Sequence, residues 1–276
     1  MHMMLSMAAR ERGKLNQLQQ LPEQILVDAA WLERHGYSSS LRSQYVKSGW
    51  LTQIAPRVYR RVQEPLIWQQ VVVSLQSFMG YPLTVGGRTA LEEQGFSHYL
   101  GDRREVHLYG PVKPPGWLAK LPLDVQFVWH NSGRLFPDGR DDPLAPAAPS
   151  DSMLPGNFVL GPQGLTWPLR LSSPERAFLE LLDELPGRES FHQVDMLSEG
   201  LVNLSPPRLR QLLAECRSVK VKRLFFFFAD RHQHAWRSRL DPGEFDLGAG
   251  KRMLAKGGRL SPTYNITVPE DLLGAA

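Results

Sequence analysis

The sequence predicts an α+β fold in two parts, a small N-terminal domain followed by a larger mixed α/β domain. Three observations lead to this prediction. Residues 21–61 show two short helical patterns followed by two strand patterns. Short strands and longer amphipathic helices then alternate as far as residue 268. At 276 residues, the chain is long enough to bury the cores of two domains. We expect the first domain at residues 1–80 and the second at residues 81–276.

The first helix is predicted at Pro22–Arg34, where Ile25, Ala29 and Leu32 recur at helical spacing. Gly36 is suited to end this helix, and Ser38 or Ser39 to begin a second one at Ser39–Ser48. Two strand patterns follow, Trp50–Ile54 and Arg57–Arg61, separated by a turn at Ala55-Pro56. Helix, turn, helix, strand, turn, strand is the order of a winged helix-turn-helix, an arrangement common in DNA-binding domains.

The second helix offers candidate DNA-contacting residues. With residues placed 100° apart, Leu41, Tyr45 and Val46 define its inward side. The opposite side and its flank then carry small, hydrogen-bonding or cationic side chains, a mixture that suits base edges and phosphates. The second strand adds arginines where a wing would meet the DNA backbone. The predicted DNA-binding residues are Ser39, Ser40, Arg42, Ser43, Gln44, Lys47, Arg57, Arg60 and Arg61. A solvated face on a small packing domain is the alternative.

Several segments together resemble the AbiEi family of antitoxins, which belong to type IV (abortive-infection) toxin–antitoxin systems. They are Gly36–Ser38, Tyr45–Leu51, Arg57–Tyr59, Val85–Leu91, Val106–Gly110, Ser173–Ala177, Leu179–Leu182, Lys220–Phe225, His234–Trp236 and Leu247–Arg252. The resemblance covers nearly the whole chain. It implies a non-catalytic repressor that binds double-stranded DNA at inverted repeats in its own promoter. It also implies an antitoxin that counteracts a cognate nucleotidyltransferase-like toxin, functionally if not by direct contact, through its C-terminal domain.

Positive charge is concentrated near both ends of the chain, although the net charge is only +4. Residues 1–62 contain nine lysines and arginines against four acidic residues, and residues 217–259 contain eleven against four. Both ends could therefore face a polyanion. For the second cluster, DNA contact, an acidic partner and a solvated surface remain open. Its candidate residues are Lys220, Lys222, Arg223, Arg237, Arg239, Lys251, Arg252, Lys256 and Arg259.

Other patterns offer weaker functional signals. Gly86-Gly87-Arg88 could cradle a phosphate at a helix start, but a tight strand-to-helix turn is favoured. His232 and His234 lack an obvious third metal ligand, and we expect neither a metal nor a cofactor. A metal-dependent nuclease would need clustered carboxylates, for which Asp124, Asp141-Asp142, Glu244 and Asp246 are the candidates. That function is one alternative, and a winged-helix transcription factor that senses a small ligand is another.

The rest of the sequence predicts a long loop, two buried segments and the location of the protein. Five prolines between Pro137 and Pro155 predict a long loop or linker. Cys216, the single cysteine, lies in a fairly apolar helical pattern and is predicted to be a buried small residue. Lys222–Ala229 is predicted to be buried, as either strand or helix. No apolar run approaches the ~18–20 residues of a membrane span, and the N-terminus lacks a hydrophobic signal core. We therefore expect a cytoplasmic protein without a membrane partner.

Overall fold

The computed structural model describes residues 13–61, 64–96, 105–137, 157–161 and 168–273. The chain folds into two compact units. The first comprises Met1–Tyr81 and Pro114–Gln126, and the second comprises Pro82–Lys113 and Phe127–Ala276. The sequence placed Pro114–Gln126 in the second domain, whereas the structure groups this segment with the first unit.

The first unit combines helices with a three-stranded sheet. Its elements are α1 (13–19 in the described part), β1 (Val27–Asp28), α2 (Ala29–Arg34), α3 (Ser39–Lys47), β2 (Thr52–Ala55), β3 (Val58–Arg60) and α4 (Trp68–Val73). A π-helical turn, Ser74–Phe78, continues α4. The sheet order is β1-β3-β2 with antiparallel pairing, so β3 is the central strand. The helix predicted at Ser39–Ser48 is confirmed as α3.

The first half of the helix predicted at Pro22–Arg34 is wrong. Pro22 accepts a turn hydrogen bond from the Ile25 amide, and Val27 then pairs with Tyr59 in the sheet. The helix begins only at Ala29, because the Asp28 side chain accepts a hydrogen bond from the Trp31 amide at 2.8 Å and caps it. Ala29 and Leu32 are buried on α2 as the helical spacing predicts, whereas Ile25 is buried in the turn before β1.

The second unit contains a five-stranded mixed sheet and a set of helices. The sheet order is β6-β5-β4-β8-β7. Strands β4 and β8 are parallel, whereas the β4–β5 and β7–β8 pairs are antiparallel. These strands are β4 (Thr84–Val85), β5 (Glu105–Gly110), β6 (Gln126–Asn131), β7 (Phe158–Leu160) and β8 (Arg170–Ser172). The helices are α5 (Gly87–Glu93), α6 (Pro174–Asp183), α7 (Phe191–Gly200), α8 (Pro206–Glu215) and α9 (Val219–His232).

The core of the second unit is built around α6 and α9. Ser173 caps α6 and Pro174 occupies its first turn. The Phe178 ring of α6 lies 5.8 Å from that of Phe225 in α9, centroid to centroid, and both side chains are buried. The phenylalanine-rich stretch whose structure the sequence left open is therefore helical. Cys216 is buried, as predicted.

A small three-stranded sheet lies near the C-terminal end of the second unit. It consists of β9 (Arg252–Met253), β10 (Arg259–Ser261) and β11 (Ile266–Val268), in the order β10-β11-β9. Residues 138–155 of the predicted proline-rich loop lie outside the described residues. Among the helices of the described ranges, none combines the length and apolar character required to span a bilayer.

Candidate nucleic-acid interface

The outer face of α3 is a continuous polar surface. Ser38 caps the helix by accepting a hydrogen bond from the Leu41 amide at 3.3 Å. Tyr45 is buried on the inner side, with Leu41 and Val46 half-buried beside it. Four residues at positions i, i+3, i+4 and i+7 point away from this inner side, and all four are exposed. They are Ser40, Ser43, Gln44 and Lys47, which line a shallow depression together with Ser48. Ser39 is exposed next to them.

Arg42, which the sequence placed among the DNA-contacting residues, does not belong to this exposed face. Its side chain is buried, and Nη1 donates a 2.8 Å hydrogen bond to the Tyr37 carbonyl. Nη2 lies 2.8 Å from the Glu33 carboxylate of α2. Arg42 therefore ties α3 to α2 and to the turn between them. The sequence placed Arg42 on the flank, from which a long side chain can turn inward as well as outward.

The strand arginines also separate into two groups. Arg57 lies at the tip between β2 and β3, is exposed, and has a φ of +65°, in the left-handed region. Arg60 is buried in β3, and its Nη1 donates to the Glu64 carbonyl at 2.9 Å. Arg61 donates to the carbonyls of Gln19 and Leu21, both at 2.6 Å. Arg60 and Arg61 thus donate to main-chain carbonyls of their own unit, and Arg57 is the exposed cation of the hairpin tip.

Four residues of the second basic cluster serve the fold and do not form a patch. Lys222 is buried, and the Lys220 ammonium donates to the Asp183 and Leu185 carbonyls. Arg223 is buried and donates to the carbonyls of Leu247, Gly248, Gly250 and Asn265 at 2.6–3.2 Å. Arg237 pairs with Asp230 at 2.7 Å. The sequence could not separate these cations from surface ones, because their partners are mostly main-chain carbonyls.

The remaining members of the cluster are exposed. They are Arg239, Lys251, Arg252, Lys256 and Arg259, of which the last lies 3.7 Å from Glu270. Four of these five belong to the segment that forms β9 and β10. The buried Arg223 holds the glycine-containing loop before β9 through its main-chain hydrogen bonds. Four exposed cations therefore follow one another along the segment of the second unit that forms β9 and β10.

The Gly86-Gly87-Arg88 turn is already occupied by a protein carboxylate. The Gly87 amide at the start of α5 donates a 3.0 Å hydrogen bond to Glu180 Oε2. A Cβ atom on Gly86 would come within 2.2 Å of the same oxygen, so only glycine fits there. Arg88 pairs with the buried Glu189. The turn therefore packs α5 against α6, and the space that a phosphate would need is filled.

The residues considered for metal binding are engaged in other interactions. His232 Nε2 lies 2.7 Å from Asp195, and His234 Nε2 lies 2.8 Å from the Ser198 carbonyl. Glu244 pairs with Arg210 at 2.9 Å, and Asp246 accepts from the Gly248 amide at 2.8 Å. Across the described ranges, no three histidine, cysteine or acidic side chains converge in a way that could hold a metal ion. Asp141-Asp142 lies outside those ranges.

A chain of histidines in the second unit was missed by sequence reasoning. His107 Nδ1 lies 2.9 Å from His130 Nε2, and His130 Nδ1 lies 3.0 Å from the Glu184 carboxylate. Burial, followed by the proximity of His130, lowers the pKa of His107 from 6.5 to about 4. Burial alone would raise the pKa of Glu184, but hydrogen bonding and the charge of His130 lower it. The three residues are far apart in the sequence, and only the pairing of β5 with β6 brings the histidines together.

Two family models match the sequence and together cover residues 11–269. Residues 103–269 match the transcriptional regulator, AbiEi antitoxin, of type IV toxin–antitoxin systems. Residues 11–101 match the N-terminal domain of the AbiEi antitoxin transcriptional regulators. The chain belongs to the AbiEi antitoxin family. Membership makes it a transcriptional regulator and antitoxin of the type IV class, as the sequence resemblance implied, and this family is not an enzyme class.

A solved structure supports the fold of this AbiEi protein. The crystal structure of the RV2827C protein from Mycobacterium tuberculosis is similar with a TM-score of 0.55 at 15% sequence identity. The similarity covers 94% of this chain and 91% of that chain. Among curated proteins, none matches the sequence. At this level of identity, the structural match concerns the fold alone.

Proposed function

We propose that this AbiEi protein binds double-stranded DNA at its own promoter through a winged helix in its first unit. The order of the first unit is helix, strand, two helices and a β-hairpin, which matches that of a winged helix. In such a domain, α3 is the recognition helix and the β2–β3 hairpin is the wing. Repression of its own operon follows if the promoter site overlaps the binding site of the polymerase.

The exposed polar face of α3 is the observation that carries this proposal. Gln44 can bind bidentately to adenine, while Ser40 and Ser43 can donate to or accept from base edges. Lys47, in the last turn of α3, provides a positive charge for a guanine edge or a phosphate. No acidic side chain interrupts the face formed by these exposed residues, Ser39 to Ser48. A helix face that contacts only solvent can carry acidic side chains, whereas a face that contacts a polyanion is expected to lack them.

The wing contributes one cation rather than the three expected from the sequence. Arg57 is exposed at the hairpin tip, and its carbonyl accepts a 2.8 Å hydrogen bond from the Ala29 amide at the start of α2. This bond fixes the tip to the helical part of the same unit. Arg57 is therefore positioned for a phosphate contact, which supports affinity for DNA irrespective of sequence.

The antitoxin activity is proposed to reside in the second unit. The first unit offers the features of a DNA reader but no evident means of opposing an enzyme. The family resemblance implies that the toxin is nucleotidyltransferase-like, and that the antitoxin counteracts it functionally if not by direct contact. The exposed cations Arg239, Lys251, Arg252, Lys256 and Arg259 provide a second surface for a polyanion or an acidic partner. They could assist repression as well.

Fluorescence anisotropy with the full chain and a labelled duplex of its own promoter tests the proposal. We expect tighter binding to the promoter than to a scrambled duplex, and an affinity that falls steeply with salt. Lys47→Ala should weaken binding, and Lys120→Ala should not, because Lys120 is an exposed lysine of the same unit that lies outside α3. Equal affinity for promoter and scrambled duplex, or equal effects of the two variants, would contradict the proposal.

A further inference from the structure

The glycine-containing loop before β9 is clamped from within the second unit by one arginine. We call this segment, residues 247–252, the clamped loop. The Arg223 side chain of α9 is buried, whereas residues 248–252 are all exposed. Its guanidinium donates at 2.6–3.2 Å to the main-chain carbonyls of Leu247, Gly248, Gly250 and Asn265. The core of the unit therefore sets the conformation of a loop at its surface.

This clamp also fixes the direction of the amide groups in the loop. In a planar trans peptide, the carbonyl of one residue and the amide of the next point in opposite directions. Because the Gly248 and Gly250 carbonyls face the buried guanidinium, the amides of Ala249 and Lys251 point away from it. Within the described ranges, neither amide has a protein acceptor. Two main-chain donors are therefore directed to the exposed side of the loop.

The charges around the clamped loop are mostly positive. Lys251 and Arg252 are exposed, and neither forms an ion pair with another residue that the structure describes. Burial, followed by the positive charge of Arg252, lowers the pKa of Arg223, so the charge of Arg252 reaches the clamp. Asp246 opposes this repulsion, and its carboxylate accepts from the Gly248 amide at 2.8 Å. An anion on the exposed side of the loop would provide a further counter-charge.

We propose that the clamped loop binds a phosphate monoester. The Ala249 and Lys251 amides donate to its oxygens, in the manner of other main-chain anion sites, and the side chains of Lys251 and Arg252 supply charge. A monoester carries a charge of about −1.5 to −2 at pH 7. The three cations leave two positive charges once Asp246 is counted, so the charges match.

The charge of the site favours a monoester over the backbone of a nucleic acid. A backbone phosphodiester carries only about one negative charge per phosphate. A free nucleotide and the phosphorylated end of an oligonucleotide both present the monoester. The proposal rests on the role suggested for the exposed cations of the second unit, and it names the chemical group that part of them bind.

Isothermal titration calorimetry of the full chain tests this proposal with ligands that differ in their phosphate. Adenosine monophosphate carries a monoester, cyclic adenosine monophosphate a diester, and adenosine no phosphate. We expect saturable binding of the monophosphate, binding of the cyclic form that is about tenfold weaker, and no binding of adenosine. A short oligonucleotide with and without a terminal phosphate distinguishes the two sources of the monoester. Tighter binding of its phosphorylated form than of the monophosphate would identify a nucleic-acid end as the ligand.

Two variants test the charge and the amide direction separately. Lys251→Ala removes a cation and should weaken binding of the monophosphate about tenfold. Gly250→Ala keeps every charge, and the added Cβ would meet nothing within 4 Å. The φ of +78° at Gly250 is strained for alanine, so the Lys251 amide should turn and binding should weaken as well. Arg239→Ala is the matched control, because Arg239 is an exposed arginine of the same unit outside the loop, and its loss should leave the affinity unchanged.

Three results would overturn the proposal. One is the absence of saturable binding by both the monophosphate and the phosphorylated oligonucleotide up to ~10 mM. Another is equal affinity for the monophosphate and its cyclic form. The third is binding that neither loop variant weakens, or that Arg239→Ala weakens equally. Circular dichroism of each variant separates loss of binding from loss of folding. Lys47→Ala should leave phosphate binding unchanged, so this proposal and DNA binding by the α3 face can fail independently.

Discussion

The pKa of His107 predicts a specific loss of stability in mild acid. His107 is buried in β5, and its pKa falls from 6.5 to about 4 in the folded protein. In the unfolded chain this histidine takes up a proton below about pH 6.5. Between these values the unfolded state binds one more proton than the folded state, so stability falls as the pH decreases. Above pH 6.5 both states are neutral at this residue, and below pH 4 both are protonated.

The size of the effect follows from the difference between a pKa of 6.5 in the unfolded chain and about 4 in the folded protein. At about 1.4 kcal/mol per unit, His107 accounts for a loss of about 3 kcal/mol between pH 7.5 and pH 4. Carboxylates also titrate at the lower end of this range, where Glu184, with a lowered pKa, adds to the loss of stability and Glu92 and Glu180, with raised pKa values, oppose it. His107→Gln removes the histidine contribution and leaves the carboxylates in place. The difference between the two proteins therefore isolates the effect of His107.

Urea unfolding followed by circular dichroism between pH 4 and pH 7.5 measures this difference. We expect the unaltered chain to lose about 3 kcal/mol more than the His107→Gln variant over that range. His192→Gln is the matched control, because His192 is 59% exposed in its side chain and pairs with Asp271 at the surface. The reasoning is refuted if the two histidine variants show the same dependence on pH, or if the His107→Gln protein loses as much stability as the unaltered chain.

The remaining predictions concern the first unit and the cysteine. Arg42→Ala should lower the free energy of unfolding in urea by about 1–3 kcal/mol, because it leaves the buried Tyr37 carbonyl without its donor. A loss of less than about 0.5 kcal/mol would contradict a structural role for Arg42. Arg57→Ala should reduce the steepness of log affinity against log salt by about one unit without changing the preferred DNA sequence. An unchanged slope would show that the wing tip does not contact DNA. Gln44→Ala should lose about 1–3 kcal/mol of discrimination at one base position in a binding-site selection, and an unchanged site would exclude it from base reading. The thiol of Cys216 should resist alkylation at pH 8 until the chain is unfolded, because burial raises its pKa to about 11, and rapid labelling of the folded chain would disagree.

Helical periodicity predicted the exposed face of α3 correctly. Tyr45 is buried, and the residues placed opposite to it are exposed. Periodicity fixes the direction in which the Cα–Cβ bond points, and short side chains such as those of Ser40 and Ser43 follow that direction. Long side chains do not have to follow it. Arg42 turns back to the Tyr37 carbonyl, an acceptor that the sequence does not reveal as available.

Contacts between distant segments account for most of what sequence reasoning missed. Val27 belongs to an apolar run with helical spacing, but it forms a strand because β3 offers it main-chain partners more than 30 residues later. Likewise, His107 and His130 meet only through the pairing of β5 with β6, and Glu184 joins them from the segment after α6. Local propensity is a weak guide wherever tertiary hydrogen bonds of this kind decide the structure.

The central claim is that the face of α3 reads promoter DNA while the second unit provides antitoxin activity. A two-reporter assay tests it most directly, with promoter output and growth under toxin induction measured in the same cells. The variant carries Gln44→Ala and Lys47→Ala, two exposed residues whose loss should leave the fold intact. We predict that promoter output rises while protection from the toxin persists. Continued repression, or the loss of both activities together in a stably expressed variant, would contradict the account.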